Sequence, residues 1–183
     1  MDGKTLDAFD RAVTLPGGDR VRLRPIRPDD APRLVEAYDR LSRQSAYQRF
    51  FTVMQRLPPD WARFLAAVDH QRRVALVAED EAAPSPALIG VARYEPVPDT
   101  ETVELAIVVQ DSWQGRGLGT LLLRELLRAA ELNGIHSFRA YVLAENRRML
   151  HLLRRHADVR EQHRDGGVIE LALRSRRDSE VGL

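Results

Sequence analysis

The chain has 183 residues, 44% of them apolar and 30% charged, with a formal charge of +1 and no cysteine. This is the balance of one soluble globular domain long enough to bury a core. It excludes a disulfide framework, thiolate metal sites and a cysteine nucleophile, and it gives no electrostatic argument for nucleic acid or an anionic membrane.

The first ten residues, MDGKTLDAFD, are polar and acidic, so they do not read as a signal peptide. No run approaches the ~20 apolar residues that cross a bilayer, and a cytoplasmic protein is expected. Residues 1–19 end in LPGGD with little periodicity and predict a flexible lead-in. Alternation predicts a strand over 21–26. Pro28, Asp29 and Asp30 then open a helix carrying Leu34, Ala37, Tyr38 and Leu41. A second helical patch covers 42–52. A third follows Pro58, Pro59 and Asp60, with Trp61, Phe64, Leu65 and Val68 on one face. Strands are expected over 73–78 and 88–94, separated by a turn-rich loop over 79–87. EPVPDTE closes a hairpin into a strand over 102–109. After the stretch QGRGLGT a long helix runs to Leu132, stopped by Asn133 and Gly134. Residues 137–143 read as a strand, 145–155 as a helix and 168–173 as a last strand. RSRRDSEVGL is a polar tail. The boundaries are a lead-in over 1–19, one domain over 20–174 and a tail over 175–183. The pattern argues an α/β fold, a mixed sheet with helices on its faces.

QGRGLGT stands where a strand gives way to an amphipathic helix carrying Leu118, Leu122, Leu126 and Ala130 on one side. The first turn of that helix has orphan N–H groups and a partial positive charge. Gly115, Gly117 and Gly119 remove side chains from the approach to those donors, Arg116 adds charge, and Thr120 offers a hydroxyl. The turn suits an anionic ligand such as a pyrophosphate. It is not a P-loop, because no Gly-Lys-Ser/Thr follows. Nor is it a dinucleotide fingerprint, because the spacing is G-x-G-x-G after an antiparallel meander. A tight turn without a ligand remains the competing explanation.

Gln114-x-x-Gly117-x-Gly119, between an apolar strand and a leucine-rich helix, resembles the acetyl-CoA-binding motif of the GNAT superfamily of acyltransferases. The resemblance covers residues 21–173. Through LRPIRPDD, LSRQSAYQRFF, VDHQRRVALVA, VELAIVVQDSWQGRGLG and VLAENRRML it is nearest to the GNAT domain of bacterial protein lysine acetyltransferases. It implies a mixed, mostly antiparallel sheet splayed at the centre, with helices on both faces and the cofactor in the opening. It implies that backbone groups of Ile107, Val108 and Val109 pair with the pantetheine amides. Gln114, Gly115, Arg116, Gly117, Leu118, Gly119 and Thr120 would hold the pyrophosphate, and Asn146 would hydrogen-bond the pantetheine arm. A plain helix N-cap explains Asn146 equally well.

Acyl transfer to an amine needs a neutral nucleophile, and a lysine of pKa ~10.4 gives up about 4.6 kcal/mol to lose its proton at pH 7. A base in the site lowers that barrier. In VELAIVV, Glu104 lies on the face opposite Val103, Leu105, Ile107 and Val109. Burial would raise its pKa toward a useful range, and the resemblance assigns the glutamate at this place as general base. The competing explanation is a surface glutamate on a half-exposed strand. A backbone N–H near Val109 is the expected oxyanion donor. Many family members carry a tyrosine where this chain has Leu153, so their usual general acid is missing here, although a CoA thiolate leaves without much help. Tyr141 is on the neighbouring strand.

The remaining candidates are weaker. His70, His136, His151, His156 and His163 have no metal-binding spacing, so no metal is expected. Arg147, Arg148, Arg154 and Arg155 could meet the 3′-phosphate of CoA or form a solvated helix face. The resemblance implies that Tyr47, Arg49, Phe50 and Phe51 fall where GNAT helices wall the acceptor groove, although aromatics at such spacing are more often core. Lys4 is the only lysine among many arginines. Composition bias explains this better than an enzyme avoiding its own modification. The expectation is an acetyl-CoA-dependent N-acetyltransferase acting on a protein lysine. A small-amine acetyltransferase and a non-catalytic CoA-binding module are the alternatives.

Overall fold

The computed structural model describes residues 6–52, 54–83 and 86–176. Among these residues eight strands are formed by Arg11–Thr14 (β1), Arg20–Pro25 (β2), Val74–Asp80 (β3), Leu88–Pro96 (β4), Val103–Val109 (β5), Ser137–Leu143 (β6), Ala157–Asp165 (β7) and Val168–Ser175 (β8). They make one sheet in the order β1-β2-β3-β4-β5-β6-β8-β7. Every neighbouring pair is antiparallel except β5–β6. The helices are Ala31–Asp39 (α1), Arg43–Phe50 (α2), Pro59–Ala66 (α3), Leu118–Leu132 (α4) and Arg147–His156 (α5).

Two cores result. On one side Leu118, Leu122, Leu126 and Ala130 of α4, with Leu150 and Leu153 of α5, pack on Val103, Leu105 and Ile107 of β5. On the other, α1, α2 and α3 cover Ala75 and Val77 of β3 and Val91 of β4. β3 is buried on both faces, which explains its unbroken apolar run.

The feature that makes a site is the junction of β5 and β6. β4 and β5 pair from Gly90↔Val109 to Pro96↔Val103. β5 and β6 pair only at Val103↔Phe138 and Glu104↔Arg139. Beyond Glu104 the two strands diverge, and the expected mixed sheet, splayed at its centre and covered on both faces, is present.

Several segments differ from the sequence reading. The flexible lead-in expected over 1–19 contributes β1, and Phe9 and Leu15 are buried in the α4-side core. Four residues are too few to show a period, and β2 supplies the pairing. Glu79, expected in a loop, continues β3 and is buried, because Arg24 of β2 meets its carboxylate. β7 was not anticipated. Only Ala157 of its residues is buried, so it is an edge strand with no apolar stripe, held by pairing to β8. α2 stops at Phe50, since Phe51 takes a left-handed conformation with φ 55°. Trp61 and Phe64 lie on the exposed side of α3, whose buried face is Ala62, Leu65 and Ala66. β8 extends into the expected tail as far as Ser175, while Lys4 and residues 177–183 lie outside the described residues.

Candidate active site

The divergence of β5 and β6 opens a groove of about 1030 Å³. Residues 104–109 of β5 and 140–142 of β6 form its sides, with contributions from α2, α5 and the start of α4. Among the described residues β5 has no strand partner on its β6-facing edge beyond Glu104, so backbone hydrogen-bonding groups there are available to an extended ligand.

The glycine turn lies at one end of this groove. Gly115 and Gly117 have φ of +77° and +93°, which L side chains resist, and Gly117 is the N-cap of α4 with no side-chain cap. The orphan donors of α4 are therefore left for something else. Gly119 carries a different message. A Cβ there would stand 3.5 Å from Leu152 Cδ2 and 3.9 Å from Val109 Cγ2, ordinary contact distances. The fold would accept a side chain at Gly119, and glycine instead leaves a cradle between α4, α5 and β5. Gln114, Gly115, Gly117, Gly119 and Thr120 line the groove. Arg116 and Leu118 do not. Arg116 turns toward Asp19 at 3.4 Å and over the Trp113 ring, and Leu118 is fully buried in the α4-side core.

A polar network not anticipated from the sequence ties the turn to α2. Asp111 accepts from the Ser42 N–H at 2.9 Å and from the Ser42 and Ser45 hydroxyls at 2.7 and 2.8 Å. Gln114 Nε2 donates to Ser45 Oγ and to the Val109 carbonyl, and Gln114 Oε1 accepts from Arg148. Burial pushes the Asp111 carboxyl up, but the Ser42 and Ser45 donors outweigh it and hold it below its usual value. The signal available was the serine pair of SRQS, in which Ser42 caps α2 through the Ser45 N–H. Its partner, 66 residues on from Ser45, could not be read from spacing.

Glu104 lines the groove on the face covered by α2 and α3. It is exposed, so the expected burial is corrected: the splay that leaves β5 without a partner on its β6 side also opens this carboxylate to the groove. Its neighbours across the sheet are Glu95 on β4 and Arg139 on β6. Both are otherwise engaged. Glu95 accepts from Arg73 at 2.5 Å and from Arg93, and Arg139 pairs with Glu170 at 2.9 Å. Among the described residues Glu104 makes no hydrogen bond or ion pair, which leaves its oxygens available to a substrate.

Asn146 is the N-cap of α5 and accepts from the Met149 N–H at 3.1 Å, while its side chain also lines the groove. Leu153 is fully buried at the groove wall and Tyr141 is exposed there. Of the acceptor-wall candidates, Arg49, Phe50 and Phe51 line the groove and Tyr47 does not. Of the basic candidates, Arg147, Arg148 and Arg155 line it, and Arg154 instead bonds Gln162. Among the described residues no group of three or more His, Asp or Glu is arranged to hold a metal. No described helix is long and apolar enough to cross a membrane.

Residues 20–156 match the family model of the acetyltransferase (GNAT) domain. The chain belongs to the GNAT acetyltransferase family. The acetyltransferase PA5475 of Pseudomonas aeruginosa is 30% identical over 136 residues, covering 74% of this chain and 73% of that protein. The acetyltransferase Pat of Mycolicibacterium smegmatis is 29% identical, and the match spans 75% of this chain but only 41% of Pat. Among solved structures, the GNAT domain of S. lividans PAT superimposes with a TM-score of 0.78 at 31% identity, covering 90% of this chain and 96% of that domain. The yncA acetyltransferase of Salmonella typhimurium, solved with acetyl-CoA, shares the fold at 19% identity, with a TM-score of 0.66 over 88% of this chain and 96% of its own.

This GNAT domain is accordingly an N-acetyltransferase, and GNAT acetyltransferases use acetyl-CoA. The residues suit that cosubstrate. The groove has the length of strand β5 along one side, a free backbone edge for an amide-bearing arm, and the Gly119 cradle at the positive end of α4.

Proposed function

We propose that the protein transfers an acetyl group from acetyl-CoA to the ε-amine of a lysine in a polypeptide, by direct attack with Glu104 as general base. The observation that carries this reading is Glu104 itself: a carboxylate on the groove wall with no partner among the described residues, at the last position before β5 loses its β6 partner. A base there is within the opening that a thioester acyl donor would enter alongside β5. Gly115, Gly117 and Gly119 would hold the pyrophosphate against the α4 N-terminus. The open edge at Ile107, Val108 and Val109 would pair with the pantetheine arm, and a backbone N–H of the same edge would face the developing negative charge. Glu104 takes the proton that the lysine must lose before attack, directly or through a water. Leu153 offers no proton to the leaving sulfur, so the thiolate departs unaided. The exposed aromatics Tyr47, Phe51, Trp61 and Phe64 around α2 and α3 favour a polypeptide acceptor over a small enclosed amine.

The test is CoA release from acetyl-CoA with a bacterial protein extract as acceptor, read alongside an acetyl-lysine blot, for wild type and Glu104→Gln. Release with new acetyl-lysine bands, both reduced roughly 10²–10⁴-fold in the variant, is the expected result. Equal release by both proteins would put the base elsewhere. Acetyl-CoA binding without release toward protein or small amines would identify a CoA-binding module instead.

A further inference from the structure

Arg49 departs from the way this protein treats its other arginines that are buried or half-buried. Arg11, Arg24, Arg33, Arg73, Arg93 and Arg139 are buried or half-buried, and each holds a carboxylate of the chain. Arg49, on α2, is half-buried as well, yet among the described residues it makes no hydrogen bond and no ion pair. Its guanidinium lies 4.8 Å from the centre of the adjacent Phe50 ring, a contact that uses none of its N–H donors. Loss of water lowers its pKa to about 10. Arg93 adds repulsion, while Glu104 and Glu95 attract it from beyond ion-pair distance. A guanidinium withdrawn from water without a partner is costly. This one lines the same groove as Glu104.

We propose that Arg49 binds a carboxylate of the acceptor, and that the enzyme selects amines bearing a carboxylate close to the reacting nitrogen. The inference rests on the reading of Glu104 as the base that receives the amine. Glu104 and Arg49 then present opposite charges to one acceptor: the carboxylate draws the amine and the guanidinium draws the acid. The planar fork of Arg49 matches a carboxylate with two parallel hydrogen bonds, which a lysine at this position would not reproduce. The acceptor's carboxylate has two possible sources, an acidic side chain beside the target lysine in a polypeptide or the α-carboxylate of a free amino acid.

Steady-state kinetics on four acceptors separate these sources. Two are short peptides with the lysine next to Glu or next to Gln; two are free lysine and lysinamide. Wild type, Arg49→Gln and Arg49→Lys are compared at saturating acetyl-CoA. Wild type is expected to show a KM roughly tenfold lower for the Glu peptide than for the Gln peptide, the worth of one charge-assisted contact. Arg49→Gln abolishes that preference with kcat within about twofold, the signature of lost binding rather than lost chemistry. Arg49→Lys restores part of it. A preference for lysine over lysinamide with none between the peptides would keep the carboxylate contact but overturn the polypeptide acceptor. Absence of preference in both pairs for wild type overturns the proposal. So does a uniform fall of kcat in Arg49→Gln with a shifted pH profile, which would mean that Arg49 acts on the amine's protonation. Turnover of none of the four by wild type, with acetyl-CoA still bound, would sink the function reading and this inference together.

Discussion

Arg24 and Arg49 lie on the same side of the sheet, the one covered by α1, α2 and α3, and the protein handles them in opposite ways. Arg24 is 3% exposed and encloses its charge within the fold. Its guanidinium donates to Asp30 through two bonds of 2.7 Å and to Glu79 at 3.0 and 2.6 Å, and Arg33 adds a second cation to the same two carboxylates. Burial works against the Arg24 charge, but the hydrogen bonds to Asp30 and Glu79 prevail and raise its pKa above the ordinary value. Arg49 is withdrawn from water to a lesser degree and, among the described residues, receives no carboxylate. The difference lies in what the fold can deliver. Asp30 stands at the start of α1 and Glu79 on the strand next to Arg24, so local geometry closes that network. Arg49 lines the groove that opens where β5 and β6 part, and no described carboxylate closes on it, which leaves it to the acceptor in the proposal above.

The largest effect that would test this contrast is Arg24→Ala. Two buried carboxylates would be left with Arg33 alone, and unfolding in urea should show a loss of about 3–5 kcal/mol. The affinity of the remaining folded protein for acetyl-CoA should be unchanged. A loss below about 1 kcal/mol would mean that water enters the network and that it is no more structural than Arg49.

Acid sharpens the same point. Asp30 and Glu79 are opposed by burial, yet their bonds to Arg24 and Arg33 hold both below their ordinary values in the folded state. The unfolded chain therefore binds more protons near pH 4. The stabilisation is complete above the unfolded values of about 4 and is lost as pH falls through them toward the folded ones. Thermal melting at decreasing pH should fall steeply below about pH 4 in wild type and less steeply in Glu79→Gln.

Gly119→Ala separates stability from binding at the other end of the groove. The added methyl meets only ordinary contacts and improves helix propensity, so the melting point should hold or rise, by up to about 1 kcal/mol of stability. Acetyl-CoA affinity, measured by calorimetry, should fall roughly tenfold because the backbone can no longer be approached closely. Unchanged affinity would return the turn to a purely structural role. The smallest effect belongs to Asn146→Ser. Serine keeps the cap on α5, so stability should shift by no more than a few tenths of a kcal/mol. Any rise in the KM for acetyl-CoA would then report the lost amide rather than a frayed helix.

Periodicity and turn chemistry determined most of the architecture by themselves. VELAIVV, the glycine turn and the leucine-spaced helix after it are local patterns, and local patterns survive reading in one dimension. Glu104 stood out for the same reason, as one acid in an apolar strand, although the run said nothing of how open that strand would be. Only the tertiary structure decided the rest. β7 has no apolar face and exists because β8 pairs with it. Arg116, the residue of the turn with the most obvious charge for a phosphate, is drawn away by Asp19, 97 positions earlier. Gln114 is held by Ser45 rather than left free for a ligand. Arginines are frequent throughout the chain and identical in one-letter code. Which of them are answered by a carboxylate depends on contacts between residues far apart in sequence, as between Arg24 and Glu79, 55 positions away, and only folding in three dimensions separates Arg49 from the others.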